Sequence, residues 1–194
     1  MPGAAPISHH RDLYAYWLSK RGACGMPTRS DINPAEIPQL LPYVMIVAKD
    51  GYQYRYRLVG SAVVQAMGYD ATGTTVGTYI VGPEVAEEAR AIFGRVFTSV
   101  CPIFATGEYL PKSGSCLCLS SLTLPLSDDN RTGVTKTIST LATHFSSQLK
   151  PDRGWLAGVS VRVSNVCEVR DAAELETLCR GWEQFCGTCN CTAP

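Results

Sequence analysis

The order of predicted strands and helices most constrains the fold of this chain. Two predicted strands precede a long amphipathic helix, and three predicted strands follow it. Residues 43–48 are apolar throughout, and residues 52–59 alternate between apolar and polar side chains. A helix that opens at Pro83 follows, with apolar residues at helical spacing as far as Val100. Further strands are predicted at 103–110, 115–126 and 134–143. This order predicts an α+β fold, a five- or six-stranded antiparallel sheet with helices on one face.

A change of parity within the predicted strand 115–126 sets a second constraint. Leu117 and Leu119 fall on one side of a regular strand, whereas three later leucines fall on the other side: Leu122, Leu124 and Leu126. A regular pleat that buries only one face cannot bury both sets. We therefore expect a β-bulge near residues 120–121.

Residues 1–42 are predicted to form an N-terminal helical arm that precedes the sheet domain at 43–145. Within the arm, residues 12–20 place Tyr14 and Trp17 on one helical stripe. A stripe of this size needs apolar surroundings, so we expect the arm to be ordered.

Residues 146–194 are predicted to form a C-terminal extension. Alternating valines predict a sixth strand near 159–164, and Asp171 with Glu174 resembles the start of a capped helix. The apolar side chains of the last helix share one face, namely Leu175, Leu178, Cys179, Trp182, Phe185 and Cys186.

Gly68, earlier in the chain, predicts the end of a short helix over 61–67.

The charge of the chain argues against nucleic acid and membrane partners. Lysine and arginine together number 17, as do aspartate and glutamate, so the formal net charge is zero. The first ten residues lack the pattern of a secretory signal, and no apolar run approaches the roughly 20 residues of a membrane helix. We therefore expect a cytoplasmic location, where the nine cysteines would be mostly thiols.

Short motifs spread over about residues 14–145 carry a family resemblance. They are Tyr16-Trp17, Arg21-Gly22, Met26-Pro27-Thr28-Arg29-Ser30-Asp31-Ile32-Asn33-Pro34, Leu40-Leu41-Pro42, Tyr54-Arg55-Tyr56-Arg57-Leu58-Val59-Gly60, Gly68-Tyr69-Asp70-Ala71-Thr72-Gly73 and Leu124-Pro125-Leu126. Taken together they resemble a family of small proteobacterial proteins with a single PAS domain. The resemblance implies a PAS fold over 43–145 and a role in sensing or regulation. The cysteine-bearing tail has no counterpart in that family.

A ligand cavity between the sheet and its helices is the first candidate site. The residues expected to line it are apolar or aromatic and come from strands and helices alike: Tyr54, Tyr56, Met67, Ile92, Phe93, Val96, Cys118 and Leu122. The alternative is a filled core, in which the same side chains pack against one another.

The sequence does not identify a cofactor for such a cavity. Haem needs an axial ligand, and the candidate histidines are His9 and His10, expected at a frayed terminus, and His144, at the end of a strand. A photoreactive flavin site would need a cysteine among amide side chains, and residues 61–100 hold no cysteine.

Four cysteines in the tail form a second candidate site. They are Cys179, Cys186, Cys189 and Cys191, and the Cys186–Cys189 spacing occurs in redox and zinc sites. The alternative is that Cys179 and Cys186 are small apolar residues on a buried helix face. Because a second paired motif is missing, we predict no metal site.

Enzyme motifs are missing from the sequence, so we predict no enzyme. Arg55, Arg57, Asp70 and Glu108 would be the charged residues of an active site, and the alternative for them is surface ion pairing.

The predicted function is a PAS-type sensory or regulatory module that binds a small apolar ligand, a signalling protein, or both, with a homodimer as a further form of assembly. The alternative is a thiol-based redox or zinc-binding protein centred on the C-terminal cysteines.

Overall fold

The computed structural model describes residues 7–22, 25–78, 83–110, 117–129, 133–145 and 160–188. The strands in these ranges are β1 (Val44–Asp50), β2 (Gln53–Val59), β3 (Ile103–Leu110), β4 (Leu117–Ser127), β5 (Val134–Phe145) and β6 (Ser160–Glu168). They form one sheet in the order β2-β1-β5-β4-β3-β6, and every neighbouring pair is antiparallel. The predicted α+β fold with its antiparallel sheet is confirmed, and β6 is the expected sixth strand.

The α-helices in the described ranges are α1 (Ser8–Arg21), α2 (Ser61–Met67), α3 (Pro83–Ser99) and α4 (Ala172–Thr188), with short 3-10 turns at Pro34–Glu36 and Leu41–Tyr43. α2 ends where predicted, at Gly68, whose left-handed backbone (φ 78°) donates its N–H to the Val64 carbonyl at 2.8 Å. None of the described helices is long and apolar enough to cross a bilayer.

The start of α4 is fixed by the predicted pair of acidic side chains. Asp171 Oδ1 accepts the backbone N–H of Glu174 at 2.8 Å. The Glu174 carboxylate accepts the N–H of Arg170, also at 2.8 Å. Both bonds satisfy backbone donors that a helix start leaves without partners.

Helices cover both faces of the sheet. α3 packs across β3 to β6 on one face, which we call the α3 face. On the opposite face, which we call the α1 face, α1 packs on β4 and β5, α4 packs on β3, and the two helices contact each other. Successive β1 residues accordingly belong to different cores: Val44 and Ile46 pack with α1, whereas Met45 and Val47 pack with Phe93 of α3.

The predicted bulge near residues 120–121 is wrong. β4 pairs without interruption with β3 from Leu117 to Thr123, and with β5 from Leu117 to Leu126. The register shifts only between Leu126 and Ser127. A regular strand tolerates apolar residues of both parities here because helices cover both faces. Leu122 lies on the α1 face, and Leu119 is half-buried on the other side.

The predicted frayed terminus around His9 and His10 is also wrong. α1 begins at Ser8, four residues earlier than predicted, and its N-cap residue Ile7 makes no side-chain capping bond. Burial fixes this start instead, since Ile7 is buried and His10 is 0% exposed. The described part of the sequence therefore holds a fully buried histidine where solvent was expected.

The arm that follows α1 is joined to the end of β4. Thr28 and Ser127 form a parallel bridge, in which the Ser127 N–H donates to the Pro27 carbonyl at 3.0 Å and the Arg29 N–H donates to the Ser127 carbonyl at 3.2 Å. Farther along the arm, Leu40 is fully buried in the core of the α1 face. The boundary at residue 42 remains a prediction, as does the one at 145.

Candidate functional site

An aromatic cluster lies on the α3 face between β2 and α3. The Tyr54 ring stacks on Phe97 with centroids 5.1 Å apart, and Tyr56 meets Phe93 edge-on at 6.4 Å. Aliphatic side chains from β1 and α2 surround these rings. We call the set the aromatic cluster, made of Met45, Val47, Tyr54, Tyr56, Val63, Met67, Phe93 and Phe97.

The structure brings together only part of the predicted cavity lining. Four of the eight residues belong to the aromatic cluster, namely Tyr54, Tyr56, Met67 and Phe93. Ile92 and Val96 lie on α3, where Ile92 is half-buried and Val96 is fully buried. Cys118 and Leu122 lie on the α1 face, in the core that contains α1. The sheet separates these last two residues from the aromatic cluster, so the eight do not line one space.

A row of buried hydroxyl groups lies on the α3 face beside the aromatic cluster. Thr137 pairs with Val47, and Ser139 pairs with Met45, which places both hydroxyl residues on the face of those two cluster members. The Ser139 hydroxyl donates to Thr123 Oγ1 at 3.2 Å. Thr137 Oγ1 is buried without a hydrogen-bond partner among the described residues. We call these buried residues the hydroxyl row, made of Thr123, Thr137, Ser139 and Thr143.

The sequence analysis missed the hydroxyl row, because serine and threonine on a strand ordinarily indicate its solvent side. The available signal was the polar content of the predicted strand 134–143. Thr135, Thr137, Ser139 and Thr143 share one parity with a single leucine, Leu141, whereas Ile138 and Ala142 share the other parity with Thr140. Since both parities are buried, a polar set on one face stands out only when the helices on that face are known.

The segment that follows α2 closes the free edge of β2. Tyr56 donates its N–H to the Thr74 carbonyl at 2.9 Å and accepts the N–H of Gly73 at 2.8 Å. Val76 donates its N–H to the Tyr54 carbonyl at 2.7 Å, and its side chain is buried against the aromatic cluster. The segment thus forms a side wall of the cluster and protects the strand edge from pairing with another chain.

Asp70 opens this segment with a bond from its carboxylate to the backbone. Its Oδ1 accepts the N–H of Thr72 at 2.9 Å, and bonding to Thr72 holds the pKa of the carboxyl below its usual range. The bond stabilises a turn between α2 and the wall segment.

Of the charged residues weighed for an active site, Glu108 lies apart from Arg55 and Arg57. Arg55 Nε donates to Asp50 Oδ2 at 2.7 Å, an exposed pair that lowers the pKa of Asp50. Its Nη1 also donates to the Gly73 carbonyl at 2.8 Å. Glu108 lies on β3, with three strands between it and β2. These contacts support surface ion pairing for Arg55 rather than catalysis.

His10 forms a polar contact of a different kind on the α1 face. Its Nδ1 lies 2.7 Å from Thr140 Oγ1, and its Nε2 lies 3.0 Å from Ser120 Oγ. The Phe104 ring meets the imidazole edge-on at 5.8 Å. Burial, together with the neighbouring charge of His9, lowers the pKa of His10 to about 3, so the ring is neutral. Both ring nitrogens are engaged in holding α1 to the sheet.

Two of the four tail cysteines lie within the described residues. Cys179 and Cys186 are buried on α4, and burial raises the pKa of the Cys179 thiol to about 11. Cys189 and Cys191 lie outside the described residues. Within the described ranges, histidine, cysteine and acidic residues form no group of three or more that could hold a metal ion. The zinc and thiol-redox interpretation therefore stays a prediction.

Comparisons with known proteins identify the family of this chain. A light-oxygen-voltage domain from work on a flavin analogue is 11% identical, with a TM-score of 0.43; the alignment covers 77% of this chain and 93% of that one. The PAS domain of Bordetella pertussis BvgS is 14% identical, also with a TM-score of 0.43, covering 89% and 97%. No curated protein matches the sequence. The PAS domain family model matches residues 7–139, about two thirds of the chain, from α1 into β5. The chain therefore belongs to the PAS domain family.

Proposed function

We propose that this chain is a sensory or regulatory module that binds a small, largely apolar ligand on the α3 face and passes its state to a signalling protein by contact. Membership of the PAS domain family supports the sensory role, since PAS domains are generally sensory modules. The observation that carries the ligand is the hydroxyl row, which lies buried beside the aromatic cluster.

Buried hydroxyls favour a particular class of ligand. A core that only stabilised the fold would gain from valine at Thr137, because a buried hydroxyl without a partner is unfavourable. A ligand with an apolar body and a hydrogen-bonding group would satisfy that hydroxyl. The aromatic cluster would contact the body of such a ligand. Burial raises the pKa of the adjoining Tyr69 to about 12, which indicates low polarity and favours an uncharged ligand.

The proposal includes the absence of enzyme activity. Its support is that Arg55 is engaged with Asp50 and that three strands separate Glu108 from the strand of Arg55. A cytoplasmic location and dimer formation belong to the proposal on the sequence arguments alone.

Native mass spectrometry of the purified full chain tests the ligand directly. We expect a co-purified small molecule as added mass, which solvent extraction then identifies. Thr137→Val should lower the occupancy about tenfold, because it keeps the volume of the side chain and removes the hydroxyl. Thr98→Val is the matched control, since Thr98 lies exposed on α3.

Two results would contradict the proposal. One is an unliganded chain from several expression hosts together with no thermal stabilisation by aromatic alcohols, quinones or medium-chain fatty acids. The other is equal occupancy in Thr137→Val and in the unsubstituted chain, which would place the ligand elsewhere.

A further inference from the structure

A groove of about 220 Å³ lies on the α1 face, between α4 and the strands β3 and β6. Phe104 and Thr106 contribute to it from β3, Asn165 from β6, and Leu178, Trp182 and Phe185 from α4. The sheet separates this groove from the aromatic cluster. It is also formed largely by residues beyond 139, where the match to the family ends.

Two backbone features keep the groove open. The register between β3 and β6 shifts at Thr106, which pairs with Asn165 while Gly107 pairs with Val163, so Ser164 is an extra residue in a bulge. Opposite the bulge, Gly181 occupies the middle of α4, where glycine is a poor helix former. A Cβ at Gly181 would meet no atom within 4 Å, so neighbouring side chains do not require glycine here. A glycine at this point of the helix leaves space in the groove that a larger side chain would occupy.

The lining of the groove is aromatic and uncharged. Rings come from Phe104, Trp182 and Phe185, and hydroxyl or amide groups come from Thr106 and Asn165; no ionisable side chain is among the lining residues. Phe185 is 42% exposed at the rim. Trp182 is only 7% exposed, and its indole N–H is buried without an acceptor among the described residues. A buried donor without a partner is unfavourable, and an acceptor on a bound molecule would satisfy it.

We propose that this groove binds a small, uncharged, planar aromatic molecule that carries a hydrogen-bond acceptor. The volume equals that of about seven water molecules, which suits one or two fused rings. The rings would stack against Trp182 and Phe185. Because the Trp182 indole nitrogen is buried, a small turn of its ring would be needed to offer the N–H to the acceptor. A protein partner would need a far larger apolar surface than a groove with one exposed ring, Phe185, at its rim. This inference does not depend on a ligand at the α3 face.

The test is a titration of the ¹⁵N-labelled full chain with quinoline, followed through the tryptophan indole N–H signals. The sequence has three tryptophans, and Trp182→Phe assigns the signal of interest. We expect a saturable shift of the Trp182 N–H signal. Naphthalene has the same shape without an acceptor and should bind about tenfold more weakly, a difference that Trp182→Phe should remove.

Variants at one helix position separate groove binding from general effects. Gly181→Leu fills the groove and should weaken quinoline binding at least about tenfold. Ala173→Leu adds the same side chain at an exposed position of α4 and should change nothing. Gly181→Ala fills less and improves helix propensity, so it gives a folded variant with intermediate affinity even where leucine perturbs packing. An unshifted Trp182 signal, equal binding to Gly181→Leu, or shifts confined to the α3 face would overturn the proposal.

Discussion

The two sides of strands β4 and β5 differ in how their buried polar groups are hydrogen-bonded. On the α1 face, His10 has a partner at each ring nitrogen, and the Trp17 indole N–H donates to the Pro125 carbonyl at 2.9 Å. On the α3 face, Thr137 keeps a buried hydroxyl that has no partner in the described part of the chain. Around α1, the strands β4 and β5 therefore present hydrogen-bonded polar groups, whereas their opposite side keeps a buried hydroxyl without a described partner.

The apolar residues of β4 also differ between its two sides. Leu122, Leu124 and Leu126 of β4 are fully buried on the α1 face, whereas Thr123 of the same strand is a buried hydroxyl residue on the α3 face. The α1 side of β4 is thus more apolar than its α3 side. Under the proposed function, the hydroxyl groups of the α3 face would serve a ligand at some cost in stability.

The largest effect should come from Trp17, the main anchor of the α1 face. Trp17 is fully buried and hydrogen-bonded, so Trp17→Ala should lower the free energy of unfolding by about 4 kcal/mol. Trp17→Phe keeps most of the buried area and should cost less than half as much. Urea unfolding of the full chain measures both. If Trp17→Ala lowers the free energy of unfolding less than an exposed substitution such as Leu58→Ala does, Trp17 does not anchor the α1 face.

Acid should destabilise the α1 face through His10. Its pKa of about 3 in the folded chain lies below the ordinary value of 6.5, so the contribution of His10 is fully present above about pH 6.5 and is lost as the pH falls toward 3. Between pH 7.5 and pH 5 the loss should be about 2 kcal/mol. Unfolding measured across this range should show it.

Two glutamine variants isolate the His10 contribution. His10→Gln cannot titrate and should lose the excess slope of stability against pH in this range. His9→Gln, at a less buried position, should keep it. Parallel pH curves for His10→Gln and the unsubstituted chain would show that His10 is not the group responsible.

A matched pair of threonines on β5 compares the faces directly. Thr140 on the α1 face bonds His10, so Thr140→Val leaves a buried ring nitrogen without a partner and should cost about 1.5 kcal/mol. Thr137→Val, three residues earlier and on the α3 face, removes a hydroxyl without a described partner and should leave stability unchanged or raised. Thermal unfolding distinguishes the two. Equal costs would mean that the faces do not differ.

The smallest effect should come from the end of α3. The predicted apolar stripe of this helix extends to Val100, but Val100 is exposed and adopts a left-handed backbone with φ 61°. A β-branched residue is strained there, so Val100→Gly should raise stability by about 0.5–1 kcal/mol. Val96→Gly, inside the same helix, should do the reverse, and calorimetry compares them. A stability loss in Val100→Gly would show that its side chain packs against something useful.

Local sequence signals predicted the elements of this fold well. Gly68 ends α2, Pro83 opens α3, and Asp171 with Glu174 starts α4, because each of these effects is decided within a turn of helix. The start of α1 was not predictable in the same way. No capping side chain marks it, and only the distant partners of His10 explain why the helix begins at Ser8.

The candidate site was predictable only in part, because the sequence does not reveal which face of a strand meets which helix. Tyr54 and Tyr56 were assigned to the α3 face through the alternation of one hairpin. Cys118 and Leu122 were grouped with them, yet their parity directs them to α1. The same ambiguity led to the bulge prediction and concealed the hydroxyl row.

The contacts of α1 also bear on the order of folding. This helix lies early in the chain, yet its hydrogen bonds join residues 108 to 165 positions apart, to Pro125, Thr140 and Glu176. During synthesis α1 is made before β4 and β5, but its docking surface exists only after these strands have paired. Closing such long loops slows folding, and the apolar stripe around Trp17 stays exposed meanwhile. A ribosome-bound chain that stops before β4 should therefore depend on chaperones more than one that extends past α4.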